Sequence, residues 1–259
     1  MTRIYTLVNQ KGGVGKTTTA INLAAYLAKF GQRVLVVDLD PQANATSSLG
    51  VDKHSVQAGI YEALINGEPP ASSILFNERL KLSLLPSSPS LAGAEIELVD
   101  EMGREFRLKT ALESVNGKYD YILIDCPPSL GILTVNGLVA AKDGVLVPVQ
   151  CEYLALEGLG QLTQTIQRVQ SLLFPDLRVR GVILTMFDPR TNLSNDVVKE
   201  VNNHFPGQVF KTIVPRSIRL AEAPSYGLPI SAYAPASVGA SAYESLVKEL
   251  LKGDGVKIN

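Results

Sequence analysis

Residues 4–17 read Ile-Tyr-Thr-Leu-Val-Asn-Gln-Lys-Gly-Gly-Val-Gly-Lys-Thr, an apolar stretch that passes into a glycine-rich turn and ends in Gly15-Lys16-Thr17. This order of residue types predicts a β-strand, a phosphate-binding loop and the first turn of a helix. Glycines at 12, 13 and 15 let backbone N–H groups crowd around an anion, and a helix starting near Lys16 points its positive dipole end at the same spot. Lys16 is then expected to reach the β- and γ-phosphates of a nucleotide, and the Thr17 hydroxyl to ligate Mg2+. Measured against G-x-x-x-x-G-K-[ST], the first glycine is replaced by Gln10, and Lys11 follows it. Two lysine charges at the mouth of one loop repel unless a polyanion lies between or beyond them, which points to Lys11 acting across an interface.

Two further strands end in carboxylates. Residues 33–38 carry the continuous apolar run Val34-Leu-Val-Val37 of a strand buried on both faces, and Asp38-Leu-Asp40-Pro-Gln42 emerges where open α/β sheets bind ligands. Residues 119–128, Tyr-Asp-Tyr-Ile-Leu-Ile-Asp-Cys-Pro-Pro, repeat the arrangement with Asp125 at the strand tip, placed to hold Mg2+ opposite Thr17. Helices are expected over residues 16–30, 56–65, 94–115, 155–173 and 237–252, and further strands over 82–85, 145–149, 179–186 and 209–214. The fold class that follows is α/β: a single domain over residues 1–259, with six to eight mostly parallel, twisted strands and helices on both faces. A short flexible tail is expected from about residue 253.

The segment Lys11-Gly-Gly-Val-Gly-Lys-Thr-Thr18 resembles the deviant Walker A box of the ParA/MinD family of P-loop ATPases. The resemblance implies that Lys11 is the signature lysine, contacting the nucleotide held by the partner subunit in an ATP-sandwich dimer. It also implies that Gly12, Gly13, Val14, Gly15, Lys16, Thr17 and Thr18 cradle the phosphates, that Thr17 and Asp125 hold Mg2+, and that Asp40 positions the attacking water. The residues after the last strands cradle adenine in this family, which nominates Pro215 and Arg216, with Phe187 and Asp188 beside them. Residues 186–192 (M-F-D-x-R-T-N) and 213–227 (I-x-P-R-S-x-R-L-A-E-A-P-S-Y-G), with the closing amphipathic helix, resemble the ParA/Soj partitioning ATPases, and the likeness spans nearly the whole chain. It implies a homodimer formed with ATP that binds double-stranded DNA without sequence preference and is released by hydrolysis that a ParB-like partner stimulates. The DNA-contacting positions it suggests are Arg190 and Arg219, with Lys199, Lys248 and Lys252.

Composition sets outer bounds. The chain of 259 residues is 46% hydrophobic and 19% charged, with a net charge of −1, so no global charge drives it to a polyanion. The charge is uneven: residues 1–177 hold 14 Lys and Arg against 18 Asp and Glu, whereas 178–259 hold 10 against 7, placing any polyanion site toward the C-terminus. Cys126 and Cys151 read as small buried hydrophobes in a reducing cytoplasm. The absence of a signal peptide or apolar span fits a cytoplasmic protein with no membrane partner, and the ParA/Soj resemblance implies association with the nucleoid. A MinD-like, membrane-associated regulator is the alternative, and it calls for a terminal amphipathic helix where residues 253–259 are polar and broken by glycine. An amidoligase or reductase of the same loop superfamily calls for an added substrate domain or cluster ligands.

Overall fold

The computed structural model describes residues 1–152 and 155–257. Strands β1 (Arg3–Leu7), β2 (Val34–Asp38), β3 (Leu75–Asn77), β4 (Leu82–Leu85), β5 (Tyr121–Asp125), β6 (Gly144–Gln150) and β7 (Val179–Thr185) form one sheet in the order β3-β4-β2-β5-β1-β6-β7. Only the edge strand β3 runs antiparallel. The helices are α1 (Lys16–Lys29), α2 (Asn44–Ser48), α3 (Ile60–Ile65), α4 (Leu91–Glu97), α5 (Arg107–Glu113), α6 (Ile132–Ala140), α7 (Ala155–Leu172), α8 (Asn192–His204), α9 (Ile218–Glu222), α10 (Ile230–Tyr233) and α11 (Val238–Gly253).

Because successive side chains of a strand point to opposite faces, the apolar runs divide cleanly between two layers. Val34 and Val36 of β2, with Tyr121 and Leu123 of β5, pack against α1 and α11. Their neighbours Leu35, Val37, Ile122 and Ile124 join a cluster with residues of α3 to α6, and the same face of β6 and β7 is covered by α7 and α8. Full burial of a leucine or valine contributes roughly 1.5–3 kcal/mol, so these two layers carry most of the cohesion. The register aligns Leu7 and Asp38 with Asp125, which brings the ends of β1, β2 and β5 to one level.

Three expectations are corrected. The helix foreseen over 94–115 is two short helices, α4 and α5, separated by a break in which Gly103 takes a left-handed conformation (φ 68°). The strand foreseen over 209–214 is absent. That segment meets β7 through an isolated bridge between Val209 and Val182 and through the N–H groups of Phe210 and Val214, which donate to the Val182 and Leu184 carbonyls (both 2.9 Å), whereas the N–H groups of Lys211 and Thr212 between them donate to the Glu249 carboxylate of α11 at 2.7 and 3.0 Å.

Residues 253–257 are not a loose tail. The Asp254 side chain is 2% exposed and accepts hydrogen bonds from the Tyr5 and Tyr121 hydroxyls (2.8 and 3.0 Å) and from Arg180 Nη2 (2.9 Å). Residues 258 and 259 lie outside the described residues. Removing one partner of a buried ion pair strands the other, at about 3–5 kcal/mol. Arg180 retains some access to water, so Asp254→Ala should cost about 2–3 kcal/mol and lower the Tm by roughly 5–10 °C. An unchanged melting curve would contradict the clamp.

Candidate nucleotide-binding site

The turn between β1 and α1 is built to leave N–H groups free for a ligand. Gly13 and Gly15 hold φ of 74° and 89°, a region that strains any side chain. Gly15 stands at the helix N-cap position and offers no side chain to the first turn of α1. Loop shape is fixed from beneath. Asn9 accepts from Lys11 N–H at 3.0 Å and donates to the Pro148 carbonyl at 2.7 Å, and the Thr185 hydroxyl donates to the Val14 carbonyl at 2.8 Å. Gln10, in the place of the usual glycine, keeps a buried carboxamide oxygen without a hydrogen-bond partner, for which we have no physical account.

Lys16 is buried, and its Nζ donates to the Lys11 carbonyl at 3.2 Å. Desolvation lowers its pKa, opposed chiefly by the nearby Asp125 carboxyl. Thr17 donates its hydroxyl proton to Asp125 Oδ2 at 2.6 Å. Burial pushes the Asp125 carboxyl up to about 8, with the neighbouring Asp38 charge adding to the effect, and its Oδ1 is buried with no hydrogen-bond partner. A fully buried carboxylate oxygen beside a threonine hydroxyl is the hard oxygen set that suits Mg2+, which takes one or two protein oxygens and completes its shell with phosphate and water. The residues present therefore fit the cation.

Asp38 and Asp40 have parted in role. Asp38 accepts from the backbone and side chain of Thr46 (both 2.7 Å) and from Asp40 N–H, so it fastens α2 to the end of β2; burial raises its pKa to about 6. Asp40 is 5% exposed and turns into a cleft of about 320 Å³ that it lines with Gly12, Gly13, Gly15, Lys16, Thr17 and Thr18. Asn44, Ser48, Pro128, Met186 and Pro224 complete that cleft.

A second cavity of about 290 Å³ shares Gly15, Thr18, Met186 and Pro224 with the first, so the two adjoin. Pro215 and Arg216 line it, together with Thr185, Leu220 and Tyr243. The Arg216 guanidinium itself pairs with Glu152. Phe187 and Asp188 stand outside the lining residues, although Phe187 bridges to Pro215. Sequence reasoning missed Met186, whose φ of 52° is unusual for a residue with a side chain, and Tyr243, whose hydroxyl meets Thr19 at 3.1 Å. Tyr243 carries no motif; it reads as one more apolar position of the last helix.

Over its length the chain is 54% identical to the chromosome partitioning protein ParA of Myxococcus xanthus (strain DK1622), spanning 98% of this chain and 90% of that protein. It belongs to the ParA/Soj family of partitioning ATPases. The sporulation initiation inhibitor protein Soj of Bacillus subtilis (strain 168) is 53% identical, over 96% of this chain and 98% of its own. The sequence profile of the AAA domain matches residues 2–179. Among solved structures, one described as cobyrinic acid a,c-diamide synthase from Mycobacterium smegmatis with bound ATP analog and magnesium superposes with a TM-score of 0.87 at 40% identity. It covers 98% of this chain and 96% of that one. The fold is thus the one this family of P-loop ATPases uses.

The suggested DNA contacts do not form one group. Arg190 follows β7, and Arg219 lies on α9, where Leu220 packs against Gly239 of α11; a Cβ at Gly239 would stand 2.8 Å from Leu220. Lys248 and Lys252 ride on α11, on the α1 face of the sheet, whereas Lys199 is on α8, on the opposite face, and does not join them. Four of the five are already paired: Arg190 with Asp188 (2.7 Å), Arg219 with Glu222 (2.9 Å), Lys248 with Glu244 (2.6 Å) and Lys199 with Asp196 (3.4 Å). Lys252 has no such pair among the described residues.

Proposed function

We propose that the protein is a DNA-segregation ATPase switch in which ATP and Mg2+ occupy the two adjoining cavities, two subunits close over the nucleotides, and the closed dimer binds DNA along the nucleoid. The observation that carries this reading is the Asp125 carboxylate, buried and half-satisfied, against Thr17 at the foot of a glycine-rich loop that lines the cleft. Family membership supports the reading.

Phosphates fit the N–H groups of residues 12–18 and the Lys16 ammonium, while adenine fits the cavity between Pro215 and Tyr243. Thr17 and Asp125 would hold Mg2+, which would supply charge neutralisation for the bound phosphates. Asp40, at the cleft wall, holds the attacking water by hydrogen bonding; its carboxylate orients the water and polarises it. Lys11 reaches the nucleotide of the other subunit. Hydrolysis, accelerated by a ParB-like partner, opens the dimer and releases DNA. Among the described residues no helix is long and apolar enough to cross a membrane.

With a net charge of −1 over the chain, one subunit offers only a small basic patch, so DNA binding should require two. Gel shifts on unrelated duplexes are expected to show binding with ATP and little with ADP, weakening steeply with salt as counterions are released. Arg219→Glu should abolish the shift while leaving ATP affinity unchanged. Binding that ignores the nucleotide, or survives in Arg219→Glu, would contradict this surface.

A further inference from the structure

Glu222 does more than an exposed carboxylate in the short helix α9 ordinarily would. Its Oε2 accepts from Arg219 Nη1 at 2.9 Å and from the Tyr233 hydroxyl at 3.0 Å, and the Tyr233 ring stacks on Tyr226 with centroids 4.8 Å apart. A single ion pair on a surface is weak because two long side chains must be held in one geometry. Here the tyrosine holds the carboxylate, the stacked ring holds the tyrosine, and burial of Leu220 fixes the turn of helix between them. The pairing lowers the Glu222 pKa, chiefly through Arg219, so its charge persists through the neutral range.

Arg219 is meanwhile well exposed, and only one of its terminal nitrogens is engaged with Glu222. An approaching phosphate therefore finds donors still open, but also a fixed negative charge beside them. Resting on the DNA reading above, we propose that Glu222, oriented by Tyr233, is a built-in counter-charge that limits how tightly the Arg219 surface holds phosphate backbones. The partner chemistry is a polyanion, and the carboxylate competes with it for the guanidinium. A surface damped in this way releases DNA readily once the dimer opens.

The test is a gel shift or filter-binding series with ATP and Mg2+ at low and high salt, on the full chain, comparing Glu222→Gln with the unsubstituted protein. Glu78→Gln is the control, since it removes the same charge from an i,i+3 pair with Lys81 on the turn between β3 and β4. Glutamine keeps the size of the side chain and a hydrogen bond to Tyr233, so the fold is preserved. With two copies per dimer, Glu222→Gln should bind about three- to tenfold more tightly at low salt, and the gain should shrink at high salt as screening sets in. Glu78→Gln should stay within about twofold of the unsubstituted protein on the same reasoning. If the unsubstituted protein binds and Glu222→Gln is no tighter than the control, the counter-charge is refuted alone. If neither the unsubstituted protein nor any variant binds with ATP, the DNA reading fails and this inference with it.

Discussion

Lys16→Ala will bind ATP at least ten- to a hundredfold more weakly than the unsubstituted protein in calorimetry, and with it will lose nucleotide-dependent dimerisation. A charge-assisted contact of this kind is worth on the order of 1.5–3 kcal/mol, and the backbone N–H groups of the loop remain to account for residual binding. The structure sharpens the argument. Lys16 is held within the cleft, desolvated, with its Nζ on the Lys11 carbonyl, so its position is fixed before any ligand arrives and little side-chain entropy is lost on binding. Removing a cation that burial already disfavours should leave the fold intact, and a matching melting curve separates loss of the site from loss of structure. Unchanged ATP affinity would overturn the loop assignment.

Asp40→Ala should keep ATP affinity and slow hydrolysis by a factor of about 10² to 10⁴, the usual range for a side chain that positions or polarises a reacting group. The carboxylate lies on the cleft wall and is braced by Gln42 N–H at 2.9 Å, which fixes its direction. Gly12→Val should fail at another step. A Cβ built on Gly12 meets nothing within 4 Å in the single subunit, so the valine fits the monomer and obstructs only what approaches it from outside. ATP binding is retained and the subunits stay apart. Turnover by Asp40→Ala at the original rate, or a normal dimer of Gly12→Val, would show that these residues do not have the roles given to them.

The site was largely legible in the sequence because its chemistry depends on residue type at fixed spacing. Glycines at 13 and 15 are needed for the loop's φ angles, and carboxylates at 38 and 125 cap strands whose burial on both faces leaves unbroken apolar runs. Those runs also made the parallel sheet readable. Helix α6 was not legible, since Ile-Leu-Thr-Val-Asn-Gly-Leu-Val-Ala is buried nearly all round and shows no helical period. The apolar segment 209–214 carries a strand's composition, but Glu249, 37 residues or more away in sequence, takes two of its N–H groups, and composition holds no trace of that partner. Nor does the sequence reveal that Asp254 is clamped by side chains from three strands. That depends on where long polar side chains far apart in sequence come to rest, which no local pattern encodes.

The central claim is that ATP, and not ADP, joins two subunits. Light scattering coupled to size exclusion on the slow variant Asp40→Ala, run with Mg2+ and each nucleotide, reads this directly. The account predicts twice the chain mass of 27.8 kDa with ATP and a single chain mass with ADP; one mass in both nucleotides would contradict it.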